Sequence, residues 1–406
     1  MKTARYLWPA ICILLAAAGC KTGPDAEEAK TDERKQDVMA ARDSTNEKMQ
    51  ALEDLFEVTW DNIHIQDDAF SRAVVGAQAE DDMIYVVASD GVIFFVNGRD
   101  GNSQSFYDAG AEPVILPMTR GEFDEEEFLY FSTRKDVYAL KAPATHRGAI
   151  RTVWRVRAEG TIITPLCSTR AGIFFGCADN RIYDIRKASA ATLLMSRVIW
   201  HLDGNITVPP VTAADSDHPF FVDDRGNLHR YTGIIDSEQR PVRTDVGAPA
   251  VPVVIDEQTE TLLIASDNYK LTALNSTTGA AIKWTAQTKG IPTGELFVHT
   301  SAVYVLNDEN ELRAFHLDTI KGEHTAGEGL WNEKPVEEVE RVIGPSKDGN
   351  VYLILTGERL AKLNVQSGEI IFTRPLPDVD FVLSNRAAGT LYFAKKEGWL
   401  WALRER

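Results

Sequence analysis

The sequence has little positive charge for its length. Its 406 residues include 43 lysines and arginines against 60 aspartates and glutamates, which gives a formal net charge of −17. Such a balance repels nucleic acid and anionic lipid headgroups. The chain is otherwise 44% hydrophobic and 25% charged, as in ordinary globular proteins, so a largely disordered or collagen-like chain is excluded.

The N-terminal apolar stretch is too short to cross a bilayer. Lys2 and Arg5 precede the apolar residues 11–18, a pattern typical of an export signal over residues 1–19. The small residues before Cys20 resemble a lipobox, the cleavage motif of bacterial lipoproteins. We therefore expect Cys20 to be acylated; an ordinary secretory signal with an incidental Cys20 is the alternative.

The resemblance to lipoproteins also carries an expected location. Lys21 follows the cysteine, and in proteobacterial lipoproteins a residue other than Asp there favours transfer to the outer membrane. Residues 20–54 are then the acylated cysteine and a charged, partly helical tether with few large apolar side chains. Residues 55–406 are expected to form the folded domain, facing the periplasm.

Cysteine is scarce in the predicted folded domain. Only Cys167 and Cys177 occur there, and an oxidising periplasm would permit a disulfide between them. A turn near residues 169–172 would leave the two cysteines about three residues out of register across the hairpin. Both a disulfide and two buried free thiols are open at this point.

One pattern recurs eight times from about residue 80 onward: an apolar β-type run, a polar turn and a second β-type run. Turns such as Asp90-Gly91 and Asp179-Asn180 contain residues that tolerate positive φ and so close hairpins. The first apolar positions of the second runs are Ile93, Val137, Ile182, Leu228, Leu271, Leu312, Leu360 and Leu400.

These positions are 40 to 48 residues apart, the spacing of four-stranded propeller blades. Helical repeats of similar length fit poorly, because the runs are short and rich in β-branched and aromatic residues. We therefore predict an all-β fold, an eight-bladed β-propeller of four-stranded blades. The β-type residues 56–60 are expected to close the ring as the outer strand of the last blade, which otherwise ends early.

A third-strand marker makes the resemblance to a family specific. Residues 274–279 end in Thr-Gly and lead to Trp284, and residues 363–368 lead similarly to Phe372. Trp154, Trp200 and Trp331 are expected in similar places. This pattern resembles the pyrroloquinoline-quinone-like repeat propellers and covers about residues 55–406.

The sequence lacks the features of the enzymes in that repeat family. Quinoprotein dehydrogenases are longer and share a vicinal cysteine pair, whereas no two cysteines here are adjacent. The eight histidines show no metal-ligand spacing, and there is no nucleophile elbow or phosphate-binding loop. The acidic runs at 124–127 and 337–340 lack calcium-loop spacing. We predict no enzyme activity, catalytic residue, metal or cofactor.

Signal, length and repeat type together resemble the BamB family, lipoprotein scaffolds of the outer-membrane β-barrel assembly machinery. In that family the partner-binding loops lie at blade starts, and the corresponding residues here are 201–205 and 245–249, of which only Asp245 matches the family motif cleanly. The resemblance implies a monomeric scaffold for envelope or outer-membrane proteins that contacts them through Asp203, Asn205 and Asp245. A peptide- or glycan-binding envelope module and, less favoured, a quinoprotein dehydrogenase are the alternatives.

Overall fold

The computed structural model describes residues 36, 39–40, 42–64, 73–80, 83–110, 112–123, 126–141, 150–186, 195–213, 216–233, 241–321, 323–331 and 334–406. The predicted signal peptide and Cys20 lie outside these residues and stay predictions. Within them, residues 36, 39–40 and 42–50 are helical, and the other regular elements are β-strands joined by turns and connections. No helix in these ranges is both long and apolar enough to cross a membrane.

The strands form eight antiparallel sheets in the described residues. In chain order, and with sheets separated by semicolons, they are β1 (Phe56–His64); β2 (Val74–Glu80), β3 (Met83–Ala88), β4 (Val92–Asn97), β5 (Ser103–Asp108); β6 (Ile115–Phe123), β7 (Glu126–Ser132), β8 (Asp136–Lys141), β9 (Arg151–Arg157); β10 (Cys167–Thr169), β11 (Gly172–Cys177), β12 (Arg181–Arg186), β13 (Met195–His201); β14 (Phe220–Val222), β15 (Leu228–Arg230); β16 (Val254–Asp256), β17 (Thr261–Ser266), β18 (Lys270–Asn275), β19 (Ile282–Gln287); β20 (Pro292–His299), β21 (Ala302–Asn307), β22 (Leu312–His316); β23 (Val339–Pro345), β24 (Val351–Leu355), β25 (Arg359–Leu363), β26 (Ile370–Pro375); β27 (Phe381–Leu383), β28 (Thr390–Ala394) and β29 (Trp399–Glu405). The strand β1 joins the last sheet.

The prediction of eight four-stranded blades is wrong: the described residues form seven blades of three or four strands, and the remaining repeat forms only the two-stranded sheet β14–β15. Before β14, the chain makes single bridges at Ile206 and Val211 instead of a strand. Pro209 and Pro210 lie between them and have no N–H to donate to a ladder. Among the described residues that follow β15, a bridge between Leu228 and Arg243 takes the place of an outer strand.

The hydrophobic core lies between consecutive sheets. Apolar side chains of neighbouring sheets form eight clusters, and the two-stranded sheet β14–β15 has a cluster on each side. One cluster joins β23–β26 to the last sheet, and another joins the last sheet to β2–β5, so the ring is closed. Burial of this apolar area between every pair of sheets is the main source of stability.

The first strand supplies the outer strand of the last sheet, as the sequence predicts. Phe56 pairs with Glu405 and Glu57 with Arg404 across the antiparallel β1–β29 ladder. Arg406 also donates its backbone N–H to the carbonyl of Leu55 at 3.1 Å. The two ends of the folded region therefore hold the ring together without leaving this sheet edge open.

The end of the predicted tether is part of the folded body. Thr45, Met49 and Leu52 are 0 to 5% exposed, and the last two belong to the cluster between β23–β26 and the last sheet. The hydroxyl of Thr45 donates to the carbonyl of Asp378 at 2.7 Å. The described residues therefore place helical residues 42–50 against the last two sheets, a contact the sequence did not indicate.

The repeated glycine and tryptophan meet across blade boundaries. Nε1 of Trp284 donates to the carbonyl of Leu317 at 3.3 Å, and a Cβ on Gly327 would lie 2.9 Å from that indole. Trp331 repeats the arrangement one blade later, against Gly368. Each indole thus packs on the glycine turn of the next blade, where a side chain would not fit.

Trp200 does not lie in the place predicted for it. Trp284 faces Ala273 in the ladder, and Trp154 faces Ala139. In β13 the equivalent position is Arg197, which faces the fully buried Asp184 and donates to it from Nε at 2.7 Å. An ion pair replaces the small residue and indole in this blade, and Trp200 packs near the end of β13 instead.

Cys167 and Cys177 are free thiols. Cys167 faces Phe174 in the β10–β11 ladder, three residues from Cys177 as predicted, and the two side chains belong to different core clusters. Burial raises the pKa of each thiol to about 12. The alternative of two buried free thiols is therefore confirmed.

Candidate docking surface

The two predicted binding loops belong to a repeated arrangement at one face of the ring. In seven repeats of the described chain, the connection to the next repeat donates a backbone N–H to the hairpin between the second and third strand positions of its own repeat. Examples are Leu202 to Asn180 at 2.9 Å, Val246 to Gly226 at 3.3 Å and Thr288 to Tyr269 at 2.9 Å. We call this side of the ring the connection face.

In six repeats of the described chain, the next hairpin in turn donates a backbone N–H back into the connection. The backbone N–H of Asp224 donates to the carbonyl of Asn205 at 2.9 Å, and that of Asp267 donates to Ala248 at 3.0 Å. Connections and hairpins therefore alternate in contact around the ring. The hairpin with Gly226 and the connection with Gly247 lie so close that a Cβ on Gly226 would be 2.8 Å from Cα of Gly247.

Asp203 and Asn205 lie in the connection that follows β13. Asp203 is exposed and makes no hydrogen bond or ion pair within the described residues. The backbone N–H of Asn205 donates to Oδ1 of Asp224 at 3.0 Å, and its side-chain amide donates to Oδ2 at 3.1 Å. Asn205 thus holds the loop to the next hairpin, and Asp203 is the residue that projects to solvent.

Asp245 lies in the next connection, after the two-stranded sheet. Its carboxylate accepts a hydrogen bond at 2.8 Å from Nε of Arg243 and a second from Nη2, and Nη1 of Arg243 donates to the carbonyl of Ala280. The Arg243 guanidinium lowers the pKa of Asp245 below its ordinary value, and Lys270 adds to the effect. The side chain is 59% exposed, so a charged carboxylate remains open to solvent.

Asp223 supports the hairpin between these connections, and the sequence did not identify it. It is fully buried and accepts hydrogen bonds from the backbone of Arg225 and from the backbone and side chain of Asn227. Burial alone would raise its pKa, but the bonds from His229 and Asn227 outweigh burial and lower it. A charged, fully bonded carboxylate therefore fixes the hairpin that carries Asp224.

The structure brings the three predicted residues onto one continuous surface. We define the docking arc as residues 203–205, 223–227, 245–248 and 267–269, whose segments contact one another in that order. Its exposed carboxylates are those of Asp203, Asp224, Asp245 and Asp267, and Arg225 is its exposed cation. A surface of this charge is complementary to a basic partner.

The histidines and acidic runs considered as metal ligands lie outside the docking arc. In the described ranges no group of three or more His, Cys, Asp or Glu side chains is placed to hold a metal ion. The rings of His316 and His324 stack with centroids 3.5 Å apart, at a site far along the chain from the docking arc. In the acidic run 337–340, Glu338 pairs with Arg359.

A cavity of about 370 Å³ opens between the end of β19, β22 and residues 327–330, with Lys334 at its wall. Apolar residues including Phe315 and Leu330 form part of its wall. Lys289, Arg313 and Lys334 supply cations, Glu328 supplies a carboxylate, and Arg313 is paired with Glu311 at 2.7 Å. None of the three predicted site residues lines it. The cavity has the size of a small-ligand site but lies outside the docking arc.

Known proteins match part of the sequence and most of the fold. The family model described as outer membrane protein assembly factor BamB matches residues 243–403, less than half of the chain. No curated protein matches the sequence.

Several solved structures share the fold at low sequence identity. BamB from Moraxella catarrhalis aligns with a TM-score of 0.60 and 16% identity, over 86% of this chain and 97% of that one. The computationally designed Ika8 protein aligns at 0.58 and 10% identity, over 85% and 100% of the two chains. Sqt1 from Saccharomyces cerevisiae aligns at 0.55 and 10% identity, over 86% and 100%.

These comparisons confirm the resemblance predicted from the repeats. The chain is a β-propeller similar to BamB, with pyrroloquinoline-quinone-like repeats. At such identities the structural matches show the fold alone, because one propeller fold serves many functions.

Proposed function

We propose that this protein is a lipid-anchored, non-catalytic scaffold that docks envelope proteins on its connection face. In this proposal Cys20 carries the lipid, the anchor lies in the outer membrane, and the propeller faces the periplasm. The similarity to BamB, whose name describes an outer-membrane assembly factor, supports the proposal. Partners then include proteins of the β-barrel assembly machinery.

The observation that carries the proposal is the docking arc. Asp203 and Asp245 come from successive connections, are both exposed, and are held by backbone contacts through the Asp223–Asn227 hairpin. A fixed loop surface loses little conformational entropy when a partner binds, which favours docking. Its carboxylates suit a partner surface rich in lysine and arginine.

The experiment that tests this function is co-purification from detergent-solubilised outer membranes. We expect the wild-type chain to retain one or a few envelope proteins in stoichiometric amounts. The double variant Asp203→Lys, Asp245→Lys reverses the arc charge and should lose them. The matched control, Asp100→Lys with Glu369→Lys, makes the same charge change at exposed turns on the opposite face and should retain them.

Two results would oppose the scaffold function. One is a wild-type chain that retains no envelope protein. The other is equal retention by the arc variant and the control variant, both folded by circular dichroism, which would place docking elsewhere on the propeller.

A ligand-binding envelope module is the second candidate, and the 370 Å³ cavity favours it. Its apolar wall and three cations suit a small organic anion or a peptide carboxylate. Titration calorimetry with acidic peptides would test it: binding that is lost in Lys334→Glu and unaffected by the docking-arc variant would support this candidate over the scaffold.

A further inference from the structure

One position in the hairpins recurs around the connection face, and in the described residues it is aromatic in one blade only. It is the residue whose backbone carbonyl accepts the N–H of the following connection, as Tyr269 accepts from Thr288. In the described residues the position is occupied by Gly91, Lys135, Asn180, Gly226, Tyr269, Asn310 and Glu358. Tyr269 is the one aromatic residue among these seven.

The local backbone does not favour tyrosine at this position. Tyr269 has φ of 65°, in the left-handed region where Gly and Asn are preferred. Gly226, Asn180 and Asn310 fill the equivalent place with the residues expected there. Six of these seven residues, all but Lys135, adopt the left-handed conformation, so the hairpin favours that backbone and does not need the aromatic ring.

The ring also has no evident use inside the molecule. Tyr269 is 49% exposed, and its side chain takes part in no ring contact or hydrogen bond with the described residues. An exposed aromatic side chain that the hairpin does not need is typical of residues that anchor a protein partner.

The surroundings of Tyr269 define the chemistry of that partner. Asp267 lies two residues away in the same hairpin and is exposed, and Asp245 lies in the adjoining connection. Lys270 and Lys289 flank the site. An arginine side chain fits the aromatic ring of Tyr269 and the nearby carboxylate of Asp267 better than a lysine does. Its planar guanidinium stacks on an aromatic ring and donates to a carboxylate at the same time.

We propose that Tyr269 is a docking residue of the arc and that its ring, together with the Asp267 carboxylate, receives an arginine side chain of a partner protein. This inference rests on the proposed scaffold function and names the contact chemistry. It predicts that the arc distinguishes arginine from lysine, which charge complementarity alone would not do.

The test uses the full-length lipidated protein in detergent micelles and two fluorescent peptides of equal charge, (Gly-Arg)₆ and (Gly-Lys)₆. Fluorescence anisotropy should show the arginine peptide binding about tenfold more tightly than the lysine peptide. In Tyr269→Gly this preference should disappear, and in Tyr269→Phe, which keeps the ring, it should remain. Wild-type protein with no preference, or a preference retained in Tyr269→Gly, would overturn the proposal.

Thermal unfolding separates docking from a structural role. Glycine adopts positive φ freely, so Tyr269→Gly should keep or raise the melting temperature while the arginine preference is lost. Glu358→Gly is the matched control: it gives the same backbone relief at the equivalent position of another blade and should leave peptide binding unchanged. A clear fall in the melting temperature of Tyr269→Gly would make the ring structural and contradict the proposal.

These outcomes do not depend on recovery of a cellular partner, so the inference and the scaffold function can fail separately.

Discussion

Nε1 of Trp401 donates a hydrogen bond of 3.0 Å to Oδ1 of Asn46, across 355 residues of the chain. The bond joins the last strand of the propeller to helical residues 42–50. Arg42 also lies over the ring of Trp399, with its Cζ 5.5 Å from the centroid. The segment before the first strand is therefore bound to the last sheet by polar, cationic and apolar contacts together.

Loss of this contact should destabilise the whole ring. Leu52 is fully buried in the same cluster as Trp401, so Leu52→Ala should lower the free energy of unfolding by about 3 kcal/mol. Met39→Ala is the control, because Met39 is 37% exposed, and should change it by less than about 0.5 kcal/mol. Urea denaturation measures both. Equal values would mean that the segment before the first strand does not contribute to the cooperative unit.

The glycine turns should tolerate substitution only where no indole packs on them. Gly327 and Gly349 have nearly the same φ, 82° and 81°, but a Cβ on Gly327 would lie 2.9 Å from Trp284 and one on Gly349 would meet nothing within 4 Å. We expect Gly349→Ala to cost about 1 kcal/mol and Gly327→Ala about 2 to 3 kcal/mol. Thermal unfolding would show the difference. Equal costs would contradict the role given to the indole.

A buried lysine links the last two blades and should make stability depend on pH. Nζ of Lys362 is 2.6 Å from Glu405 and 2.8 Å from Asp348. Burial alone would raise the pKa of Asp348, but hydrogen bonds from Lys362 and Ser346 outweigh burial and hold it well below the usual range.

A carboxylate whose pKa is lower in the folded than in the unfolded chain stabilises the protein at pH values above the unfolded-state pKa of about 4. That stabilisation is lost as the pH falls from there through the folded-state pKa. Asp348→Asn should therefore melt below the wild type at pH 7, and the gap should narrow between about pH 4 and pH 2. Glu369→Gln, at an exposed turn, is the control. A gap that stays constant with pH would show that the variant acts through packing instead of charge.

The two thiols of the folded domain should be unreactive until the protein unfolds. Because burial raises the pKa of Cys167 and Cys177 to about 12, little thiolate forms at pH 8. Ellman's reagent should detect neither thiol in the native domain, and both in guanidinium chloride without a reductant. Detection of none after denaturation would indicate a disulfide.

The sequence predicts the hairpins of this fold better than its edges. Each pair of second and third strands contains two apolar runs and a turn, and all eight occur in the structure. Inner and outer strands have no comparable signal, because they depend on pairing with a neighbour. Pro209 and Pro210 illustrate this: the repeat pattern is intact around them, but the ladder lacks its donors, so the predicted blade count was too high.

The candidate surface shows a similar division. The resemblance to the BamB family singles out Asp203, Asn205 and Asp245, and the structure places them on one surface. Their contacts with Asp224 and Arg243 depend on how loops pack across the blade boundary, which residue spacing does not encode. The special place of Tyr269 depends on the hydrogen bonds that define the equivalent position in each blade.

Site-specific photocrosslinking in intact cells tests most directly whether the connection face docks a partner. A photoreactive amino acid would replace Asp203 or, on the opposite face of a neighbouring blade, the exposed Thr277. We predict that the probe at 203 links the chain to an envelope protein and that the probe at 277 does not. Equal labelling from both positions, or labelling from 277 alone, would contradict the account.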